Sequence, residues 1–99
     1  MTARFTYRHL TELVGGDDEL IAWLVDEGVI EVGDDAHALV DVDSVLAART
    51  LRELEVDWSG IELILRLRRE LAEARHQIAR LTAELEARHE ADGGAGRGR

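Results

Sequence analysis

Between Trp58 and Glu90 the chain reads WSGIELILRLRRELAEARHQIARLTAELEARHE, with no proline and no glycine after Gly60. Its apolar residues recur at alternating steps of three and four: Ile64, Leu67, Leu71, Ala74, Ile78, Leu81 and Leu85. That spacing predicts one long helix with a heptad seam of about three heptads. At about 1.5 Å per residue the helix is roughly 50 Å long, more than the diameter of anything the first 57 residues can build. The distal part of the stripe therefore needs another chain, and the seam predicts a homodimer. Orientation stays open. Glu70 and Arg75 occupy g and the following e, where they pair across a parallel dimer, whereas antiparallel packing sets Arg68 and Arg75 in an e-to-e row. Exposed pairs contribute only tenths of a kcal/mol, so they decide little here.

The remainder is small. The last nine residues, ADGGAGRGR, hold four glycines and no apolar side chain larger than Ala, which predicts a disordered tail over 91 to 99. About 60 residues are left for a compact domain, so its core is limited and association adds stability. With no cysteine in the chain, disulfides and thiol chemistry are excluded and the softest metal ligands are missing. No run approaches the ~18 apolar residues of a membrane span, and MTARFTYRHL lacks a signal-peptide apolar stretch, so the expectation is a cytoplasmic protein.

Net charge is −9, but its placement is more informative than its sum. Residues 9 to 48 carry eleven acids, Glu12, Asp17, Asp18, Glu19, Asp26, Glu27, Glu31, Asp34, Asp35, Asp41 and Asp43, and no Arg or Lys. Residues 49 to 90 carry nine acids and eight arginines, the balanced mixture of solvated helix faces. One half of the molecule has a strong negative field, which selects cationic partners over nucleic acid and anionic lipid.

Along the chain, Phe5, Thr6 and Tyr7 suit a short strand or extended lead-in, and His9 to Val14 a brief helix ended by Gly15-Gly16. Asp17 or Asp18 then caps a second helix whose apolar face includes Leu20, Ile21 and Leu24 and which Gly28 closes. Two short helices joined through a Gly-containing turn spell helix-turn-helix. Val29 to Val32 and Ala38 to Val40, around Gly33-Asp34-Asp35, read as a hairpin or wing. Asp41 or Asp43 caps a third helix through about Leu54, with Val42, Val45, Leu46 and one of Leu51 or Leu54 inward. Asp57 stands where the long helix needs its N-cap, and Ser59 with Glu62 offers a competing capping box. Trp58, beside Ile61 and Leu65, is expected to plug the gap between the third helix and the long one.

This order, helix-turn-helix, wing, helix and capped long helix, resembles the MerR-type winged helix-turn-helix and, more narrowly, the CbpM family of chaperone modulators. The narrower match is carried by D-D-E-L-I-A-W-L-V-D-E-G-V-I at 17 to 30 and by L-R-E-L-E-V-D-W-S-G-I at 51 to 61. Its most specific part is D-W-x-G-I ahead of a long amphipathic helix. Coverage runs from about residue 5 to 90. The implied fold class is mainly α, a winged helix-turn-helix over 5 to 57 followed by a coiled-coil helix over 58 to 90, with Asp57, Trp58, Gly60 and Ile61 as structural residues.

MerR-type DNA readers carry arginines and tyrosines along the second helix, and this chain has Glu19, Ala22, Trp23 and Leu24 at the matching places. Five carboxylates approaching phosphates, with no cation to release counterions, argue against direct DNA reading. The resemblance implies instead a protein that binds the J-domain of a DnaJ-like, CbpA-like co-chaperone and inhibits its work with Hsp70. Its expected contact residues are Asp17, Asp18, Glu19, Trp23, Asp26 and Glu27, which an acidic face sets against the basic J-domain helix. A MerR-like transcription regulator is the alternative reading.

Catalysis is not written here. His9, His37, His76 and His89 include no pair at i, i+3 or i+4, so no metal site is expected. Asp17-Asp18 and Asp34-Asp35 fall at cap and turn positions, where Asp is the ordinary residue. Gly15-Gly16 is not followed by the Lys and Ser/Thr of a phosphate loop, and no nucleophile has a base beside it. The expectation is a non-enzyme without a cofactor.

Overall fold

A computed structural model describes residues 1–97, with side chains described through residue 91. In chain order the elements are β1 (Thr2–Thr6), α1 (Tyr7–Leu13), α2 (Asp18–Asp26), β2 (Ile30–Val32), β3 (His37–Asp41), α3 (Val42–Glu53) and α4 (Trp58–Arg97). The protein is mainly helical, with a three-stranded sheet and a long C-terminal helix. It divides into two compact units, Met1–Leu65 and the remainder from Arg66, so the boundary falls two turns inside α4 and not at 57/58. Ile61 and Leu65, on the first two turns of α4, are buried with the core of the first unit, which is why that boundary moves.

The helices start and stop for local reasons. Thr6 caps α1, its hydroxyl accepting from the His9 amide at 3.2 Å, so α1 begins at Tyr7, two residues before the start that periodicity suggests. Asp17 caps α2 by accepting from the Leu20 amide at 3.1 Å. At the end of α2 the Val29 and Gly28 amides reach back to the Leu24 and Val25 carbonyls, and Gly28 supplies the left-handed residue at φ 76°. The end of α3 repeats that pattern, with Val56 bonded to Leu51 and Glu55 to Arg52, but its left-handed residue is Glu55 at φ 61°. A side chain there is held against a steric preference of about 1 kcal/mol or more.

The long helix is capped by Asp57, whose Oδ1 accepts from the Gly60 amide at 2.7 Å. The Ser59–Glu62 capping box is not formed, because α4 already starts at Trp58 with Asp57 as its cap, which leaves Ser59 inside the first turn. A Cβ on residue 60 would stand 2.7 Å from Val56 Cγ1 and 2.9 Å from Asp57 Oδ1, so the folded-over cap admits only glycine without rearrangement. Helix continues past the predicted end at Glu90 as far as Arg97. Propagation adds one hydrogen bond per residue and needs no new nucleus, so the helix runs on through residues of poor propensity into the stretch of 91 to 99 expected as a tail. Residues 98 and 99 lie outside the described residues.

β3 is central, in sheet order β1-β3-β2 with both pairings antiparallel. Ala38 and Val40 point into the core, and Leu39 between them is 46% exposed, the period-2 alternation of a sheet with one wet face. The predicted hairpin is present, and β1, starting earlier than the lead-in that Phe5 and Thr6 suggest, adds the third strand. Beneath the sheet, Leu10 of α1 and its C-cap Val14, Leu20 and Leu24 of α2, and Val45 and Ala48 of α3 pack with Ile30, Val40 and Ile61. The α3 face departs from expectation at Leu46, which is 43% exposed, while Ser44 and Ala48 turn inward; of the pair Leu51 and Leu54, it is Leu51 that packs against the core. Small residues there let α3 lie close to the sheet, and the Ser44 hydroxyl bonds Asp41 at 2.9 Å.

Candidate functional site

The candidate contact residues lie along α2 and the hairpin that follows it. The start of α2 is engaged with the molecule itself. Arg52 on α3 donates from Nε to Asp17 Oδ2 at 3.1 Å and from Nη2 to Glu19 Oε2 at 3.4 Å, and its guanidinium lies 4.2 Å from the centroid of the Trp58 ring. Trp58 in turn stacks on Trp23, with centroids 5.1 Å apart and planes at 25°. Trp58, the first residue of α4, therefore meets Arg52 of α3 and also Trp23 of α2, so the contact expected between α3 and α4 extends to α2. Trp23 is half-buried in the same stack.

This arrangement shifts both ionisable partners. The hydrogen bond from Arg52 holds the Asp17 carboxyl below the usual aspartate range, assisted by the Leu20 amide, and the bond to Asp17 raises the Arg52 guanidinium. Arg49, one turn earlier on α3, donates to the Leu13 carbonyl at 3.0 Å and to Glu53 at 3.3 Å. The first two bases after the acidic stretch thus both fold back onto it. Their i, i+3 spacing after forty base-free residues is a signal the sequence offers, but nothing in it says which acids they reach.

Other acids are also occupied. Asp35 in the hairpin turn pairs with Arg4 of β1, which keeps its carboxyl low, while the terminal ammonium of Met1 lies 2.7 Å from Asp43 and 3.5 Å from Asp41. Asp18, Asp26, Glu27, Glu31, Asp34 and Glu12 are exposed and form no ion pair among the described residues. Asp26 and Glu27 stand at the C-terminal end of α2 with no base in its last turn, where the helix dipole disfavours carboxylates. An open concavity of about 790 Å³ is lined by Val25 and Gly28, on either side of this pair, and by Glu31, exposed Val32 and Leu39 of the sheet.

No protein family, curated protein or solved structure matches this chain. Its chemistry must be argued from its own residues.

The seam residues lie along α4. Ile64 is half-buried, Ala74 is exposed, and Leu67, Leu71, Ile78, Leu81 and Leu85 are 52%, 51%, 62%, 52% and 64% exposed. Of the structural set, Asp57 and Gly60 form the cap and Ile61 is fully buried. Among the described residues, no group of three or more His, Asp or Glu side chains is placed to hold a metal ion, and no helix is long and apolar enough to cross a membrane.

Proposed function

We propose that the protein is a chaperone modulator of the CbpM type, a cytoplasmic homodimer that binds the J-domain of a DnaJ-like co-chaperone and inhibits its cooperation with Hsp70. In this reading α1 and α2 form the helix-turn-helix, the β2–β3 hairpin is its wing, and the α4 seam joins two copies. The observation that carries it is the unneutralised carboxylate set along α2, its C-cap and β2, Asp18, Asp26, Glu27 and Glu31, within a stretch that contains no Arg or Lys. J-domains of this kind engage Hsp70 through a basic helical surface, and a field of opposite sign steers association onto it. The D-W-x-G-I resemblance supports the same reading, since Asp57 and Gly60 act together as a helix cap.

Competition tests it. Adding the protein to a DnaJ-like co-chaperone plus Hsp70 should suppress J-stimulated ATP hydrolysis, leave the basal Hsp70 rate unchanged and be reversed by excess Hsp70. Absence of binding to any J-domain protein of the same genome sinks the proposal. Sequence-specific retardation of duplex DNA at physiological salt would instead establish the transcription-regulator reading, against which the six unpaired acids and the Arg52-engaged Asp17 and Glu19 argue.

A further inference from the structure

We infer that the partner's basic helix docks on the hairpin side of the first unit, in the concavity between the end of α2 and the sheet, and not on the N-terminal half of α2. This rests on the reading above, that the partner presents a basic helical surface, and adds which surface receives it. The concavity, of about 790 Å³, is lined by Val25 and Gly28 around the end of α2, by Glu31 and Val32 of β2 and by Leu39 of β3. Val32 and Leu39 are left 54% and 46% exposed, so the lining includes apolar surface that this chain's own folding does not cover.

Charge selects the occupant. Glu31 lines the concavity, and Asp26 and Glu27 stand between Val25 and Gly28 in the chain; all three are exposed and form no ion pair among the described residues. Arg4 also lines it but is already held by Asp35. Asp26 and Glu27 oppose the α2 dipole and so cost the fold a little, as residues that serve a contact do. At the other end of α2 the balance is reversed. A smaller concavity there, of about 410 Å³, is lined by Arg49 and Arg52, which already engage Glu53, Asp17 and Glu19, and Trp23 is drawn into its stack on Trp58. A cationic helix meets unpaired carboxylates and open apolar surface on one side and arginines on the other.

The edge of β2 favours a helix over an added strand. Gly33 donates to His37 and Asp41 to Val29, so the alternation of antiparallel pairing turns the main-chain groups of Ile30 and Val32 away from β3. Ile30 is 1% exposed, which leaves Val32 alone to pair with an incoming strand. A helix satisfies its own main chain and needs only side-chain contact from the groove.

Binding kinetics of an isolated J-domain on the full chain test this. Val32→Ser and Leu39→Ser, at half-exposed positions that contribute little to the core, should each speed dissociation about threefold or more and leave association nearly unchanged. Glu31→Lys should slow association by a similar factor at low salt, and the difference should shrink as salt rises. Glu53→Gln, beside the arginine-lined concavity, should change neither rate. If the wild-type chain binds no J-domain, the modulator reading falls and this inference with it. If the J-domain binds and dissociates from both serine variants at the wild-type rate, the surface is wrong and the reading stands. Amide shifts of the wild-type protein cover a variant that fails to fold: added J-domain should move Val25, Gly28, Val32 and Leu39, and shifts centred on Arg49 and Arg52 would overturn the assignment. A blocked pentapeptide alternating lysine and valine, too short and too β-branched for a helix, should not displace the J-domain at equal concentration; displacement would give the groove to an extended segment instead.

Discussion

At residue 60 a single hydrogen replaces a side chain so that an aspartate can fold over the first turn of α4. Introducing alanine brings a helix-propensity gain of up to about 1 kcal/mol, but it sets a methyl against Val56 and the Asp57 carboxylate and so opposes a cap of about 1 kcal/mol. The two terms nearly offset, so Gly60→Ala should leave stability about unchanged, whereas in the Asp57→Ala background, where the methyl no longer meets the carboxylate, the same change should stabilise by up to about 1 kcal/mol. Urea unfolding of the four proteins measures it, and additive effects would show that the cap is not what excludes the methyl.

The Asp17–Arg52 pair makes a prediction in pH. Its carboxyl titrates lower folded than unfolded, so its contribution is fully present above about pH 4 and is lost as pH falls through the depressed folded value. Asp17→Asn keeps a cap while removing the charge, so it should be less stable than wild type by at most about 1 kcal/mol near neutrality, and the gap should close toward pH 2. A gap that widens on acidification would mean that Arg52 does not hold the charged form.

Among the elements, α2 has well-placed charge at one end and misplaced charge at the other. Asp17, Asp18 and Glu19 favour its N-terminus and are partly neutralised by Arg52, but Asp26 and Glu27 oppose the dipole at its C-terminus and have no partner. Reversal at Asp17 would break a cap as well as a charge, so the informative substitutions are at the other end. Asp26→Lys and Glu27→Lys should each stabilise the fold by about 0.3–1 kcal/mol while slowing association with a basic J-domain. Thermal unfolding and stopped-flow association report the two effects separately. Equal association rates would move the contact to another surface, and a loss of stability would contradict the dipole argument.

For the molecule as a whole, the legible features were those set by neighbours in sequence. Heptad spacing marks α4 whether or not anything covers it, Asp17 and Asp57 mark starts because capping is a three-residue affair, and Gly28 marks an end because the left-handed position lies next to the helix it closes. The two runs of the hairpin followed from the same local pattern, while their register, Ile30 opposite Val40 and Val32 opposite Ala38, came with the fold. The choice of Ser44 and Ala48 over Leu46 on the inner face of α3, and of Leu51 over Leu54, belonged to the tertiary structure, because the sheet's distance decides which side chains fit beneath it. So did the Trp23–Trp58 stack, the Arg52–Asp17 bond and the pairing of Arg4 with Asp35, which join residues 31 to 35 positions apart. Composition alone determined that residues 9 to 48 are acidic. Only the folded chain decided which of those acids remain unpaired, since an ion pair depends on distance in space and the arginines that supply it arrive from other elements.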